Sequence, residues 1–171
     1  IFRINGELAP DGEEKLTPDD TRQMAEAIIP QDLMSEFEKK GELDFSFGIP
    51  RVSRFRINAY FQRSCIGMAI RVIPTTIPKL DELNMPPILK EIVQQPQGLV
   101  LVTGPTGSGK STTRAAMIDQ VNRTEAKHII TLEDPIEYLH RHQMSVVNQR
   151  EVGFDTKNFA NGLKGCLRQD P

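Results

Sequence analysis

Residues 104–111 read GPTGSGKS and stand one residue beyond the apolar run GLVLV at 98–102. The pattern G-x-x-x-x-G-K-[ST] constrains the chain strongly, because each position has a physical task. Gly104, Gly107 and Gly109 let the backbone turn tightly and aim its N–H groups inward. Lys110 sets a positive charge against the β- and γ-phosphates of a nucleotide, and Ser111 offers a hydroxyl to Mg²⁺. A helix beginning here points its positive end at the same anion. Pro105, Thr106, Ser108 and Thr112 complete the expected ATP-binding set. An apolar strand before the loop and a helix after it separate the motif from a chance match. ATP and Mg²⁺ are therefore the expected cofactors.

The surroundings of the loop fix a fold class. PPILKEIVQQ reads as a helix, GLVLVTG as a buried strand, KSTTRAAMIDQVN as a helix and KHIITLEDP as a second buried strand ending in acids. This order implies a parallel sheet with helices on its faces. QREVGFDTKNF predicts a turn into a helix opened by Asp155 or Thr156.

Upstream the pattern changes. In LTPDDTRQMAEAII, Thr17 caps a helix, Pro18 suits its first position, and Asp19 and Asp20 favour its positive end. Leu16, Met24, Ala27 and Ile28 give that helix an apolar face. PQDLMSEFEKKG predicts a second short helix stopped by Gly41. IFRINGEL reads as a strand, a turn at Gly6 and another strand. ELDFSFGIP, SRFRINAYFQ and GMAIRVIP read as further strands, the first two with the alternation of a sheet covered on one face. Pro74, Pro78, Pro86 and Pro87 mark a linker. The expected architecture is α/β. A small α+β domain spans 1–73, a proline-rich linker 74–87, and part of a P-loop domain with a mainly parallel sheet 88–171.

Two further groups of residues bear on chemistry. TLEDPIEY at 131–138 falls at the carboxyl end of its strand, beside the phosphate loop. Glu133, Asp134 and Glu137 bring carboxylates there, which either help hold Mg²⁺ and orient a water or are solvated acids before a proline turn. Arg54 and Arg56 share one face of a strand, and Arg71 belongs to a neighbouring one. Such a cluster is either a solvated surface or a set of fingers that neutralise a γ-phosphate. His140 and His142 read as exposed loop residues without a metal-ligand frame.

Composition narrows the classes. A net charge of −2 gives no basic footprint for nucleic acid. The two cysteines, Cys65 and Cys166, have no metal or redox spacing, so a reduced cytoplasmic chain is expected. No apolar run approaches the roughly 20 residues that span a bilayer, so no direct membrane insertion is expected.

Taken together, GLVLVTGPTGSGKSTT, HIITLEDPIEY, VNQREVG and CLRQDP closely resemble the PilT family, the type IV pilus retraction ATPases of the type II/IV secretion ATPase superfamily. SRFRINAYFQ and AIRVIP resemble strands of that family's PAS-like N-terminal domain, so the resemblance spans nearly the whole chain. It implies a PAS-like domain followed by an incomplete RecA-like P-loop ATPase domain. TLEDPIEY is then the Asp box, with Glu133 and Glu137 at its acidic positions. Arg54, Arg56 and Arg71 fall in the region that supplies arginines to the ATP site. The resemblance further implies a homo-hexameric, cytoplasmic motor, peripheral at the inner face of the cytoplasmic membrane. It would act with a pilus platform protein there and drive pilus retraction and twitching motility.

The chain departs from the family at Arg114, where leucine is usual, and at Gly162 and Gly165, in an alanine-rich helix. Each glycine costs a helix about 1 kcal/mol relative to alanine. The chain opens inside a hairpin pattern and stops at Pro171, where the family continues into its Walker B strand and His box. The expectation is a piece cut at both ends that binds ATP with little hydrolysis. The rival readings are a short non-catalytic nucleotide-binding product and a pilus-assembly or type II secretion ATPase.

Overall fold

The helix-start signal at Thr17 is realised in full. The Thr17 hydroxyl accepts from Asp20 N at 3.2 Å, and the Asp20 carboxylate accepts from Thr17 N at 2.8 Å, a reciprocal capping box. Hydrogen bonds from the Thr17 side chain and backbone hold the Asp20 carboxyl below its usual pKa. In the computed structural model, which describes residues 1–12 and 14–171, the chain divides into two units, Ile1–Val72 and Ile73–Pro171. It is an α/β protein with antiparallel pairing in the first unit and a parallel pair in the second.

The first unit runs β1 (Phe2–Ile4), β2 (Glu7–Ala9), α1 (Pro18–Ile28), α2 (Gln31–Lys40), β3 (Glu42–Ile49), β4 (Ser53–Gln62) and β5 (Cys65–Ile73), whose last residue passes into the second. Asn5 and Gly6, both with positive φ, close the β1–β2 hairpin. Arg63 and Ser64 do the same between β4 and β5. The three longer strands form one sheet in the order β3-β4-β5. Its register pairs Leu43 with Ala59, Phe45 with Ile57 and Phe47 with Phe55, so one face is apolar across both strands.

That face is covered by α1 and α2, and Ala25, Ile29, Phe37, Phe45, Ile57 and Ala59 form the centre of the core. The buried face of α1 is Ala25, Ile28 and Ile29, displaced from the expected set. Leu16 and Met24 are exposed, as is Ala27, because packing follows the direction of the sheet rather than the most apolar stripe. Gly41, left-handed at φ 81°, ends α2 as the sequence requires.

The second unit contains α3 (Ile88–Ile92), α4 (Lys110–Thr124), β6 (His128–Glu133), β7 (Val146–Glu151) and α5 (Phe159–Cys166). The proline-rich stretch 74–87 packs into this unit through Leu80, which is buried against Ala116 and Met117 of α4. β6 and β7 pair in parallel, His128 opposite Val146 through Glu133 opposite Glu151. The expected buried strand at 98–103 is not formed. Among the described residues β6 and β7 pair only with each other, so this segment has no ladder to join. Leu99, Val100 and Leu101 are 84%, 49% and 74% exposed.

Helix α5 is capped by Asn158, whose side chain accepts from Asn161 N at 2.8 Å, and not by Asp155 or Thr156. The Asp155 carboxylate is already engaged, accepting from Glu151 N at 2.7 Å to close the turn after β7. The two glycines of α5 differ in surroundings. A Cβ on Gly162 would stand 2.8 Å and 3.0 Å from the methyl carbons of Leu132, whereas one on Gly165 would meet the side-chain tips of Arg150 at 3.3 Å and Gln169 at 4.0 Å. Gly165→Ala is therefore expected to raise stability by roughly 0.5–1 kcal/mol, the helix-propensity difference. Gly162→Ala should bring no gain, because β6 would have to yield. Urea titration of the two variants decides the point, and equal gains would contradict this packing.

Candidate functional site

The loop at 104–109 is shaped by backbone that only glycine adopts easily. Gly104, Gly107 and Gly109 have φ of 153°, 79° and 88°. A Cβ on Gly104 would also lie 2.7 Å from Ser108 Oγ. Gly109 is the N-cap of α4, and no acidic residue occupies the first turn of that helix. Its positive end thus meets no acid of its own first turn and faces the loop. Lys110 Nζ donates to the Pro105 carbonyl at 2.7 Å, so the lysine folds back over the loop it belongs to.

The acidic turn after β6 meets the first turn of α4. Ser111 Oγ donates to Glu137 Oε1 at 2.6 Å, and Thr112 Oγ1 and Tyr138 OH are 2.9 Å apart. Donating its proton leaves the Ser111 oxygen lone pairs directed away from the carboxylate. A hydroxyl with an adjacent carboxylate is the hard oxygen donor set that suits Mg²⁺. Ser111 and Glu137 are therefore the residues that could hold this ion. Both border a depression of about 650 Å³, whose wall also includes Lys110, Arg114 and apolar residues of α4.

Glu133, at the end of β6, plays a different part. Its side chain is 10% exposed and its Oε1 accepts from Thr131 Oγ1 at 2.6 Å and from Gln149 Nε2 at 3.0 Å. Arg114 approaches the other oxygen at 3.9 Å while remaining about half exposed. The charge on α4 thus finds both an acid and solvent. Asp134, by contrast, is exposed. The buried Glu151 carboxylate also ties the acidic turn, accepting from Ile136 N at 3.1 Å.

His140 is half-buried rather than exposed, a correction to the reading of it as a loop surface residue. Its Nδ1 is buried with no hydrogen-bond partner among the described residues. Burial pushes its pKa down, against the opposing pull of Glu133 and Asp119. His142 is exposed, as expected, and its Nδ1 accepts from Val147 N at 3.0 Å.

The arginines belong to the first unit. Register places Arg54 opposite Gly48 and Arg56 opposite Ser46, on the sheet face away from the core. Arg54 also donates to Ser46 Oγ. Arg56 and Arg71 line a groove of about 720 Å³ together with Arg3, Asp44 and Asn58. The cluster so formed is Arg56 and Arg71 with Arg3, a residue that no motif marks.

Several polar residues that organise the site escaped sequence reasoning. Asn122 of α4 is fully buried. Its Nδ2 donates to the Arg141 carbonyl at 2.7 Å and its Oδ1 accepts from Gln143 N at 3.2 Å. Gln149 and Tyr138 belong with it. Each acts across the fold, and the stretches TLEDPIEY and VNQREVG that hold Tyr138 and Gln149 do not show these contacts.

Comparisons with known proteins agree with this geometry. Residues 14–171 match the family model described as Type II/IV secretion system protein. The chain is 43% identical over 170 residues to the type IV pilus ATPase PilU of Pseudomonas aeruginosa, covering 99% of this chain and 44% of that protein. It is also 43% identical over 171 residues to the PilT retraction ATPase of the type IV pilus in the same organism, covering all of this chain and 50% of that one. The crystal structure of the pilus retraction motor PilT with bound ADP superposes with a TM-score of 0.91 at 47% identity, over 99% of this chain and 50% of that one. The chain thus spans about half the length of the curated relatives it matches.

Proposed function

We propose that this chain, which belongs to the type II/IV secretion system protein family, is the ATP-binding portion of a motor ATPase that drives type IV pilus retraction and twitching motility. One observation carries the reading. The loop 104–112 has three glycines in left-handed backbone, a lysine over the loop, and a serine hydroxyl bonded to the carboxylate of Glu137. The likeness to a retraction motor with bound ADP supports the same reading.

The proposed roles follow from chemistry. Gly104, Pro105, Thr106, Gly107, Ser108, Gly109, Lys110, Ser111 and Thr112 hold the phosphates. Ser111 is the Mg²⁺ ligand, supported by Glu137 in direct contact with its hydroxyl. Mg²⁺, when bound, would neutralise charge on the phosphate oxygens. Glu133 is the second carboxylate of the site, and Arg54, Arg56 and Arg71 would neutralise developing phosphate charge. Glu133 already accepts two hydrogen bonds and pairs with Arg114, while Glu137 serves Ser111. Neither is left unengaged to orient a water, which favours binding with slow turnover in this chain.

At the level of domains, residues 1–73 are proposed as a PAS-like domain, 74–87 as the connection and 88–171 as part of a RecA-like ATPase domain. The whole protein is proposed to work as a homo-hexamer in the cytoplasm, at the inner face of the cytoplasmic membrane, with a pilus platform protein as partner. None of the described helices is long and apolar enough to cross a membrane.

The test is equilibrium binding of ATP with and without Mg²⁺. The reading expects saturable binding that strengthens roughly tenfold when Mg²⁺ is added, the equivalent of about 1.4 kcal/mol from one additional charged contact. Binding that is absent, or indifferent to the ion, would sink it.

A further inference from the structure

Gln149 lies on β7, outside the phosphate loop and outside the acidic turn, yet its side-chain amide joins the strands to that turn. Its Oε1 accepts from His140 N at 2.7 Å. Its Nε2 donates to the Tyr138 carbonyl at 2.8 Å and to Glu133 Oε1 at 3.0 Å. Both protons of the amide group and its oxygen are thus in use. Two of the three partners are backbone groups of the segment 134–140, which a side chain merely filling a strand end would not reach. The third is the carboxylate where that segment begins.

The segment gripped in this way carries the residues that meet α4. Glu137 takes the Ser111 hydroxyl bond and the Tyr138 hydroxyl faces Thr112. Among the described residues its other ties are Ile136 N to the Glu151 carboxylate, Leu139 N to the Pro74 carbonyl at 3.4 Å, a long bond, and the buried Ile136 side chain. Without the Gln149 amide, the stretch from Tyr138 to His140 would lose two of its backbone hydrogen bonds at once.

We propose that Gln149 is a positioning residue, which holds the 134–140 segment so that Glu137 and Tyr138 reach Ser111 and Thr112. The nucleotide part of this proposal rests on the reading of 104–112 as the phosphate loop. Gln149 touches no phosphate itself. Its effect passes through Glu137 to the hydroxyl on the metal side of the site, so its loss weakens nucleotide binding more with Mg²⁺ than without.

The experiment uses the whole chain and two substitutions. Gln149→Leu removes all three hydrogen bonds. Gln149→Glu is nearly isosteric, keeps an acceptor for His140 N and removes both donors, and it serves if the leucine variant does not fold. Amide hydrogen exchange is measured first, without nucleotide. In Gln149→Leu the His140 amide is expected to exchange at least roughly tenfold faster, while the amides of Ile129 to Leu132 in β6 change less than about twofold. ADP binding is then measured in Mg²⁺ and in EDTA. Either variant is expected to weaken ADP about fivefold or more in Mg²⁺, with a smaller loss in EDTA.

Equal losses in the two conditions, or none, would overturn the positioning role. So would an unchanged His140 amide, or faster exchange spread evenly along β6. Failure of the unsubstituted chain to bind ADP would instead remove the phosphate-loop reading, and exchange at His140 would still decide whether Gln149 holds the turn.

Discussion

Lys110→Ala is expected to weaken ATP binding by at least roughly 100-fold, and ADP binding, which lacks the γ-phosphate contact, by roughly tenfold, with the fold intact. The size follows from what the ammonium does. A hydrogen bond to a charged group contributes about 1.5–3 kcal/mol, and the lysine of such a loop reaches two phosphates. In this structure Lys110 Nζ is held 2.7 Å from the Pro105 carbonyl, folded back over the loop. It is therefore placed before any ligand arrives, and little side-chain entropy remains to be lost on binding. The alanine variant leaves α4 a good helix former at its first position, so its far-ultraviolet circular dichroism should match the parent. Nucleotide titration by calorimetry reads the effect. A loss below about fivefold would mean that the phosphates bind elsewhere.

The largest expected effect on stability is at Phe37. This residue of α2 is fully buried in the core of the first unit, and its ring stacks on Phe61 with centroids 4.9 Å apart and planes 6° from parallel. Phe37→Ala removes that stack and leaves a cavity beneath α2, at a cost of about 3–5 kcal/mol. Domains of this size are stable by only about 5–15 kcal/mol, so the variant should lie close to its unfolding threshold. Urea unfolding followed by circular dichroism measures it. A loss under about 1 kcal/mol would show that α2 does not anchor the sheet.

What could be read in the sequence was what is encoded locally. The Thr17 cap, the Gly41 stop and the β3 and β4 alternation each depend on residues within a few positions of one another, and each appears as expected. The glycine-rich loop at 104–109 was legible for the same reason, since its positive-φ turns are carried by contiguous residues. The segment 98–103 shows the limit of such reading. Its β-branched and leucine-rich composition specifies a strand, but a strand exists only beside another, and none of the described strands pairs with it.

Strand β7 shows the converse. VVNQRE has a weak pattern of its own, and its conformation comes from parallel pairing with β6 eighteen residues earlier in register. The site divides along the same line. Ser111 and Glu137 stand 26 residues apart, and only folding brings the hydroxyl to the carboxylate. Gln149 stands in the quoted stretch VNQREVG, but its role was invisible because its three partners come from a strand end and a turn. His140 was misread for a related reason, since its burial comes from elements that no local window contains.

The central claim is that residues 104–112 and the turn bearing Glu137 form one nucleotide site. Backbone amide chemical shifts recorded during titration with ADP and Mg²⁺ test it most directly. The account predicts the largest changes at Gly107 to Thr112, accompanied by changes at Glu137 and Tyr138, all saturating with a single Kd. Saturable changes that leave Gly107 to Thr112 unmoved would contradict it.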